Sequence, residues 1–285
     1  MGSLSGKVAV VTGASRGIGK GVALALGAEG ATIYVTGRTT APGTHHLPGT
    51  VGETAAEVDR RGGCGIAVRV DHAKEDDIAA LFDQIQREQG RLDFLVNNAI
   101  AYPPGLTEAK PFWEKPLGDW EMIDIGARGY YVAAWHAAKI MAAQKSGLIV
   151  NISGHAGARY SLSPLLGVCK SAVDRMAHDM AIELKPFNVA TVSFWPGFTF
   201  TERAKESLQK VAGLATRVHS ASGNSQEFPG RVIAALAKDP EIMRRSGGTV
   251  IAAELAEEYG VTDVDGKVVP TPREQRGAPI WNPIA

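Results

Sequence analysis

The 285-residue chain predicts an α/β fold: a single domain built on one doubly wound parallel sheet of about seven strands. Three observations carry this expectation. Short β-branched runs alternate with longer helical patterns from one end to the other. The first run passes through a glycine-rich turn straight into a helix. No repeat or low-complexity tract divides the chain.

Residues 7–12 read as a strand because Val8, Val10 and Val11 are β-branched and glycine follows. Residues 18–29 carry a helical pattern. Strands are expected at 31–36 and at 65–70, the latter ending at Asp71. In residues 74–89, Ile78, Leu81, Phe82 and Ile85 recur on one helical face. A buried strand follows at 92–96, a helix at 120–144 and a strand at 148–152. A long helix at 163–184 and strands at 189–194 and 248–252 complete the alternation.

Two insertions break this rhythm. Residues 39–54 are rich in Gly, Pro and Thr and read as a surface loop. Residues 102–119 are rich in Pro and Trp. They follow Asn97-Asn98-Ala99 directly and are expected to share in a substrate pocket. A C-terminal extension starts at about residue 202.

Hydrophobic residues make up 45% and charged residues 21%, enough apolar surface for a sizeable core. Lysine plus arginine equals aspartate plus glutamate at 30 each, so bulk charge points to neither nucleic acid nor an acidic membrane. Cys64 and Cys169 lie far apart, which fits a reducing compartment and argues against a disulfide framework or a structural metal. The first residues lack a charged segment followed by an apolar run, and Gly6 stands where myristoylation needs Ser or Thr. No stretch approaches the roughly 20 apolar residues of a membrane span. A cytosolic protein acting on a small molecule is expected.

Thr12-Gly13-Ala14-Ser15-Arg16-Gly17-Ile18-Gly19 joins the first strand to the first helix. Glycines there let a backbone approach a pyrophosphate, and the helix N-terminus offers N–H donors and positive potential. This T-G-x-x-x-G-x-G spacing resembles the short-chain dehydrogenase/reductase superfamily, with its Rossmann-like fold. Asp71, Asn97-Asn98-Ala99, Ser153, Lys170 and Pro196-Gly197 follow in the family's order, so the resemblance runs from about residue 7 to about 265.

The resemblance implies a nicotinamide cofactor. Gly13, Ser15, Arg16, Gly17, Ile18 and Gly19 would cradle its phosphates, Asp71 with His72 would flank the adenine, and Asn98 with Ala99 the ribose. Lys170 would hold the nicotinamide ribose, with Pro196, Gly197, Thr199 and Thr201 near the carboxamide or the phosphates. A carboxylate ending the second strand would favour NAD(H), whereas arginine suits a 2′-phosphate. The chain has Thr36-Gly37-Arg38-Thr39. Arg38 and Arg16 together could clamp a phosphate, which points to NADP(H). Many members of the superfamily are dimers or tetramers, and the resemblance extends to that.

Family members relay a proton through Asn, Ser, Tyr and Lys. Ser153 and Lys170 match the serine and lysine. Gly126 stands for the asparagine, as in the subgroup resembling mammalian dehydrogenase/reductase member 1. Leu166 stands for the tyrosine, four residues before Lys170, and leucine can donate no proton. Tyr102 is a candidate substitute on the pocket loop. Tyr160 and His155 are weaker ones. Arg128 could face a substrate or form a surface ion pair. Trp195 and Phe198 could wall the pocket or belong to the core.

Three readings stay open. The protein binds NADP without turnover, it reduces carbonyls with a substitute proton donor, or its reaction needs no proton at that point. An iminium carbon is already cationic, and a pericyclic closure needs only a shaped pocket. Fungal alkaloid pathways contain short-chain-dehydrogenase-like proteins of the third kind, which are NADPH-dependent reductases and Diels–Alderases that lost the usual tetrad. The chain resembles them in its pattern of loss, and in a loop carrying Tyr102, Pro103, Pro104, Phe112 and Trp113. That resemblance implies a bulky substrate, apolar or cationic.

Overall fold

The computed structural model describes residues 2–103, 105–218 and 223–284. Seven parallel strands form one sheet: β1 (Val8–Val11), β2 (Thr32–Gly37), β3 (Cys64–Arg69), β4 (Phe94–Asn97), β5 (Gly147–Ile152), β6 (Val189–Trp195) and β7 (Thr249–Ile251). Their order is β3-β2-β1-β4-β5-β6-β7. The direction of winding reverses between β1 and β4, which opens a crevice at the carboxyl edge where ligands bind in such sheets.

Helices cover both faces, so the strands are apolar on both sides. The pleat divides β1 cleanly. Ala9 and Val11 enter one core with Val22 and Leu26 of α1 (Gly17–Ala28) and Val58 of α2 (Val51–Arg60). Val8 and Val10 enter the other with Ile78, Leu81 and Phe82 of α3 (Glu75–Gln89) and Ala133, Ala137 and Met141 of α4 (Gly129–Gln144). A third, smaller cluster lies under the second insertion. In it Leu106 meets Met122 and also Leu166 and Cys169 of α5 (Pro164–Leu184).

One expectation changes and one is sharpened. Residues 39–54 are not all loop, because Thr50 caps α2. Its hydroxyl accepts from the Glu53 amide at 3.0 Å and the Glu53 carboxylate accepts from the Thr50 amide at 2.9 Å. Residues 120–144 are helical throughout, as expected, but not uniformly α-helical. A single turn at Glu121–Ile123 leads into a π-helical turn at Asp124–Arg128, and α4 follows. Beyond β6, the helix α6 (Glu202–Lys210) crosses the carboxyl edge of the sheet. The chain after β7 runs back so that a short turn at Arg273–Arg276 reaches the same edge. Among the described residues no helix is long and apolar enough to cross a membrane.

Candidate active site

A cavity of about 650 Å³ opens at the carboxyl edge, lined by the segments that leave β1, β2, β3, β4, β5 and β6. One half is shaped by the glycine loop. Gly13 and Gly17 hold left-handed φ angles of 64° and 59°, which glycine adopts without strain. A Cβ on Gly13 would lie 2.8 Å from the Ala99 Cα, so the loop is pressed onto the end of β4.

Asn98 fixes that contact. Its side-chain amide donates to the Thr12 carbonyl at 2.8 Å and the Gly13 carbonyl at 3.1 Å. The amides of Asn98 and Ala99 donate to the Thr12 hydroxyl at 2.8 and 2.9 Å. Asn98 lines the cavity, but its amide serves the loop backbone, where the resemblance put it beside a ribose. Gly19 is also corrected. It lies outside the lining, and a Cβ there would stand 2.4 Å from the Asn98 amide nitrogen. Its role is close packing. Ser15, Arg16, Gly17 and Ile18 do line the cavity.

The helix α1 begins without a side-chain cap and with no acid in its first turn, leaving its N-terminus electropositive. The Gly17 amide donates to the Glu202 carboxylate at 3.0 Å. An anion therefore already occupies the edge of this terminus.

The expected arginine pair is divided. Arg16 Nε donates to the Pro48 carbonyl at 2.8 Å, and one terminal nitrogen donates to the Gly49 carbonyl at 2.8 Å and the Thr39 hydroxyl at 3.2 Å. It ties the first insertion down, which brings His45 and Leu47 into the cavity wall. Arg38 is half-exposed at the rim, 3.8 Å from the Glu121 carboxylate. Asp71 lines the cavity and its carboxylate accepts from the Ala73 amide at 3.1 Å. His72 is buried, 3.2 Å from the Thr36 hydroxyl, and burial pushes its pKa down to about 4. Pro196, Gly197, Thr199 and Thr201 complete this wall. The Thr199 hydroxyl turns to the Asn224 side chain at 2.9 Å, and Thr201 caps α6 through the Ala204 amide at 3.1 Å.

The other half gathers Ser153, Lys170, Leu166 and Tyr102. Pro164 opens α5 and Ser163 caps it, accepting from the Leu166 amide at 3.2 Å. One helical turn then sets Leu166 and Lys170 on the same face. Lys170 is buried and donates to the Ile152 carbonyl at 3.0 Å, and burial pulls its ammonium below the ordinary lysine range. Ser153 donates to the Lys170 carbonyl at 3.3 Å. Leu166 is buried in the wall, packed with Leu106 and Ala156.

Tyr102 is 39% exposed, with the Arg203 guanidinium 5.7 Å from its ring. Partial burial raises its phenol above the ordinary value, which makes it a weaker acid. His155 lines the cavity and Tyr160 stays at the exposed surface.

Of the two readings of Arg128, the surface ion pair is the one seen. The residue is half-exposed outside the cavity lining and pairs with Glu75. Phe112 and Trp113 are also exposed, so of the aromatic loop only Tyr102 joins the wall, with Leu106 and Thr107. Pro104 lies outside the described residues. Trp195 belongs to the core, whereas Phe198 lines the cavity. Sequence reasoning passed over Glu202, Arg203, Leu214, Val218 and Arg276, all in the lining. Glu202 beside Thr201 could have been noticed. Arg276 could not, because nothing local marks the return of the chain end.

The class of protein follows from this cavity and its sheet. Residues 7–212 match the family model described as short chain dehydrogenase, and the chain belongs to that family of oxidoreductases. It is 41% identical over 276 residues to dehydrogenase/reductase SDR family member 1 of Mus musculus, covering 93% of this chain and 86% of the relative. A short-chain type dehydrogenase/reductase from Mycobacterium marinum superposes with a TM-score of 0.74 at 27% identity, over 87% of this chain and 94% of that one. A metagenomic short-chain oxidoreductase solved with NADP superposes with a TM-score of 0.68 at 26% identity, over 87% and 97%.

Proposed function

We propose that the protein is an NADP(H)-dependent reductase of a C=N or conjugated bond, with a substrate that takes no proton from the protein at the reacting atom. The observation that carries this is Leu166. It walls the cavity one turn from Lys170, at the position where the family places its proton donor.

Support for the cofactor comes from the glycine loop, which has no room for a Cβ at Gly13, and from the uncapped start of α1. Arg38 at the end of β2, with no carboxylate beside it in sequence, favours a 2′-phosphate. A relative solved with NADP adds to this. Lys170 would hold the nicotinamide ribose, and Asp71 would flank the adenine. Bound NADPH supplies a hydride, which turns an iminium carbon into an amine with no proton added and leaves NADP⁺.

Among the remaining polar groups of this half, none stands where Leu166 does, one turn before Lys170. Ser153 and Lys170 donate to backbone carbonyls, and the Tyr102 phenol is raised. Removal of a positioned acid costs about 10²–10⁴-fold in rate. Carbonyl reduction with Tyr102 as substitute donor is the second reading, favoured by the place of Tyr102 in the same wall. Leu166, Leu106 and Phe198 would also hold a folded substrate for intramolecular cycloaddition, but no residue speaks for that step over reduction. The two unpaired cysteines fit a reducing compartment such as the cytoplasm.

Stopped-flow oxidation of NADPH with 2-methyl-1-pyrroline, a cyclic imine, and with cyclohexanone tests the reading. The imine is expected to react at least about 10²-fold faster. Equal rates that fall in Tyr102→Phe would establish the second reading instead. NADPH binding with neither substrate turned over would point to a non-catalytic cofactor-binding protein.

A further inference from the structure

We propose that the substrate end of the cavity is a carboxylate site built on Arg276, so that the natural substrate carries a carboxylate away from its reacting bond. This deepens the reductase reading and rests on it for treating the ligand as a substrate.

Arg276 enters on the turn Arg273–Arg276, beyond the part of the chain that matches the family model. Its side chain is 6% exposed and lines the cavity. One terminal nitrogen donates to His155 Nδ1 at 3.0 Å and the other to the Val218 carbonyl. The Arg276 Nε is buried with no hydrogen-bond partner among the described residues.

Among the described residues no carboxylate answers this charge. Arg273, three residues earlier, pairs with Glu254 at 2.6 Å, whereas Arg276 has no ion pair among the described residues. Among the described residues the acids of the cavity lining are Asp71 and Glu202, and Glu202 accepts from Gly17 at the glycine loop. Lys170, Arg203 and Arg276 are also in the lining. Burial lowers the Arg276 pKa and no neighbouring acid opposes it.

A buried guanidinium without a counter-charge is costly, and such groups persist where a partner supplies the charge. The cofactor's phosphates are served by the glycine loop at the other end. A carboxylate matches the planar fork of the guanidinium. The same residue explains how a cationic carbon could be accepted beside Lys170 and Arg203. A substrate holding both an iminium and a carboxylate is neutral overall, so an imino acid fits where a simple iminium ion would be repelled.

Calorimetric titration of the NADP⁺-saturated protein with benzoate and with benzamide tests the site without turnover. Benzoate is expected to bind about ten-fold or more tightly than benzamide. Arg276→Gln should abolish that preference while NADP⁺ affinity stays within about two-fold, and Arg276→Lys should keep part of it. Arg244→Gln, on the exposed surface, should leave it unchanged. Equal binding of the two probes by the unmodified protein would overturn the proposal, whether or not the variants fold. So would a benzoate preference that survives Arg276→Gln. A protein that prefers benzoate but reduces no C=N bond would sink the reductase reading and leave the site standing. An imine reductase indifferent to benzoate would do the reverse.

Discussion

Leu166, His72 and Arg276 each show how much one side chain depends on its surroundings. Leu166 was conspicuous in the sequence because Lys170 follows it by one helical turn, and the spacing alone put both on one face. Ser153 and the glycine loop were legible for the same local reason. Arg276 was not, since its burial depends on a chain reversal that no short-range pattern records. His72 carries a prediction of its own. Its pKa is held down to about 4 against an ordinary 6.5, so between those values the unfolded chain binds a proton that the native protein does not. Stability therefore rises with pH across that window and falls on acidification, by roughly 3 kcal/mol at full extent. Urea denaturation of the protein and of His72→Gln at pH 7 and pH 4.5 checks this, and the variant is expected to lose less stability on acidification. An identical loss in both would show that His72 titrates freely in the native state.

The elements were most legible where a repeat of two or of 3.6 residues is short-range, as in β1 and α3. They were least legible where one hydrogen-bond shift alters a helix. Composition could not reveal the π-helical turn at Asp124–Arg128 within the helical run of residues 120–144. This turn also explains Gly126. A Cβ there would stand 2.8 Å from Ile100 Cγ1 and 3.1 Å from Cys169 Sγ, so those two side chains already fill the space a larger residue would need. Gly126→Asn is expected to destabilise the protein by about 1–3 kcal/mol through overpacking. An unchanged urea midpoint would contradict that packing. The first insertion teaches a similar lesson. Its glycines and prolines suggested an idle loop, yet Arg16 gathers its carbonyls and turns it into a wall of the cofactor half.

At the scale of the molecule, the strand order brings six strand ends to one crevice, and this was foreseeable from alternation alone. What alternation could not supply is the roof. It comes from α6 and from the returning chain end, which add Glu202, Arg203 and Arg276. The cavity has the glycine loop at one end, and Ser153, Lys170 and Tyr102 in its other half. Between them Leu166 provides apolar surface one turn from Lys170, which is the feature the proposed function rests on. The most direct measurement is kcat/KM for cyclohexanone and for 2-methyl-1-pyrroline, in the unmodified protein and in Leu166→Tyr. The unmodified protein should favour the imine, and Leu166→Tyr should raise ketone reduction by roughly 10²-fold with little effect on the imine. Brisk ketone reduction by the unmodified protein, unimproved by the tyrosine, would contradict a site built to work without that acid.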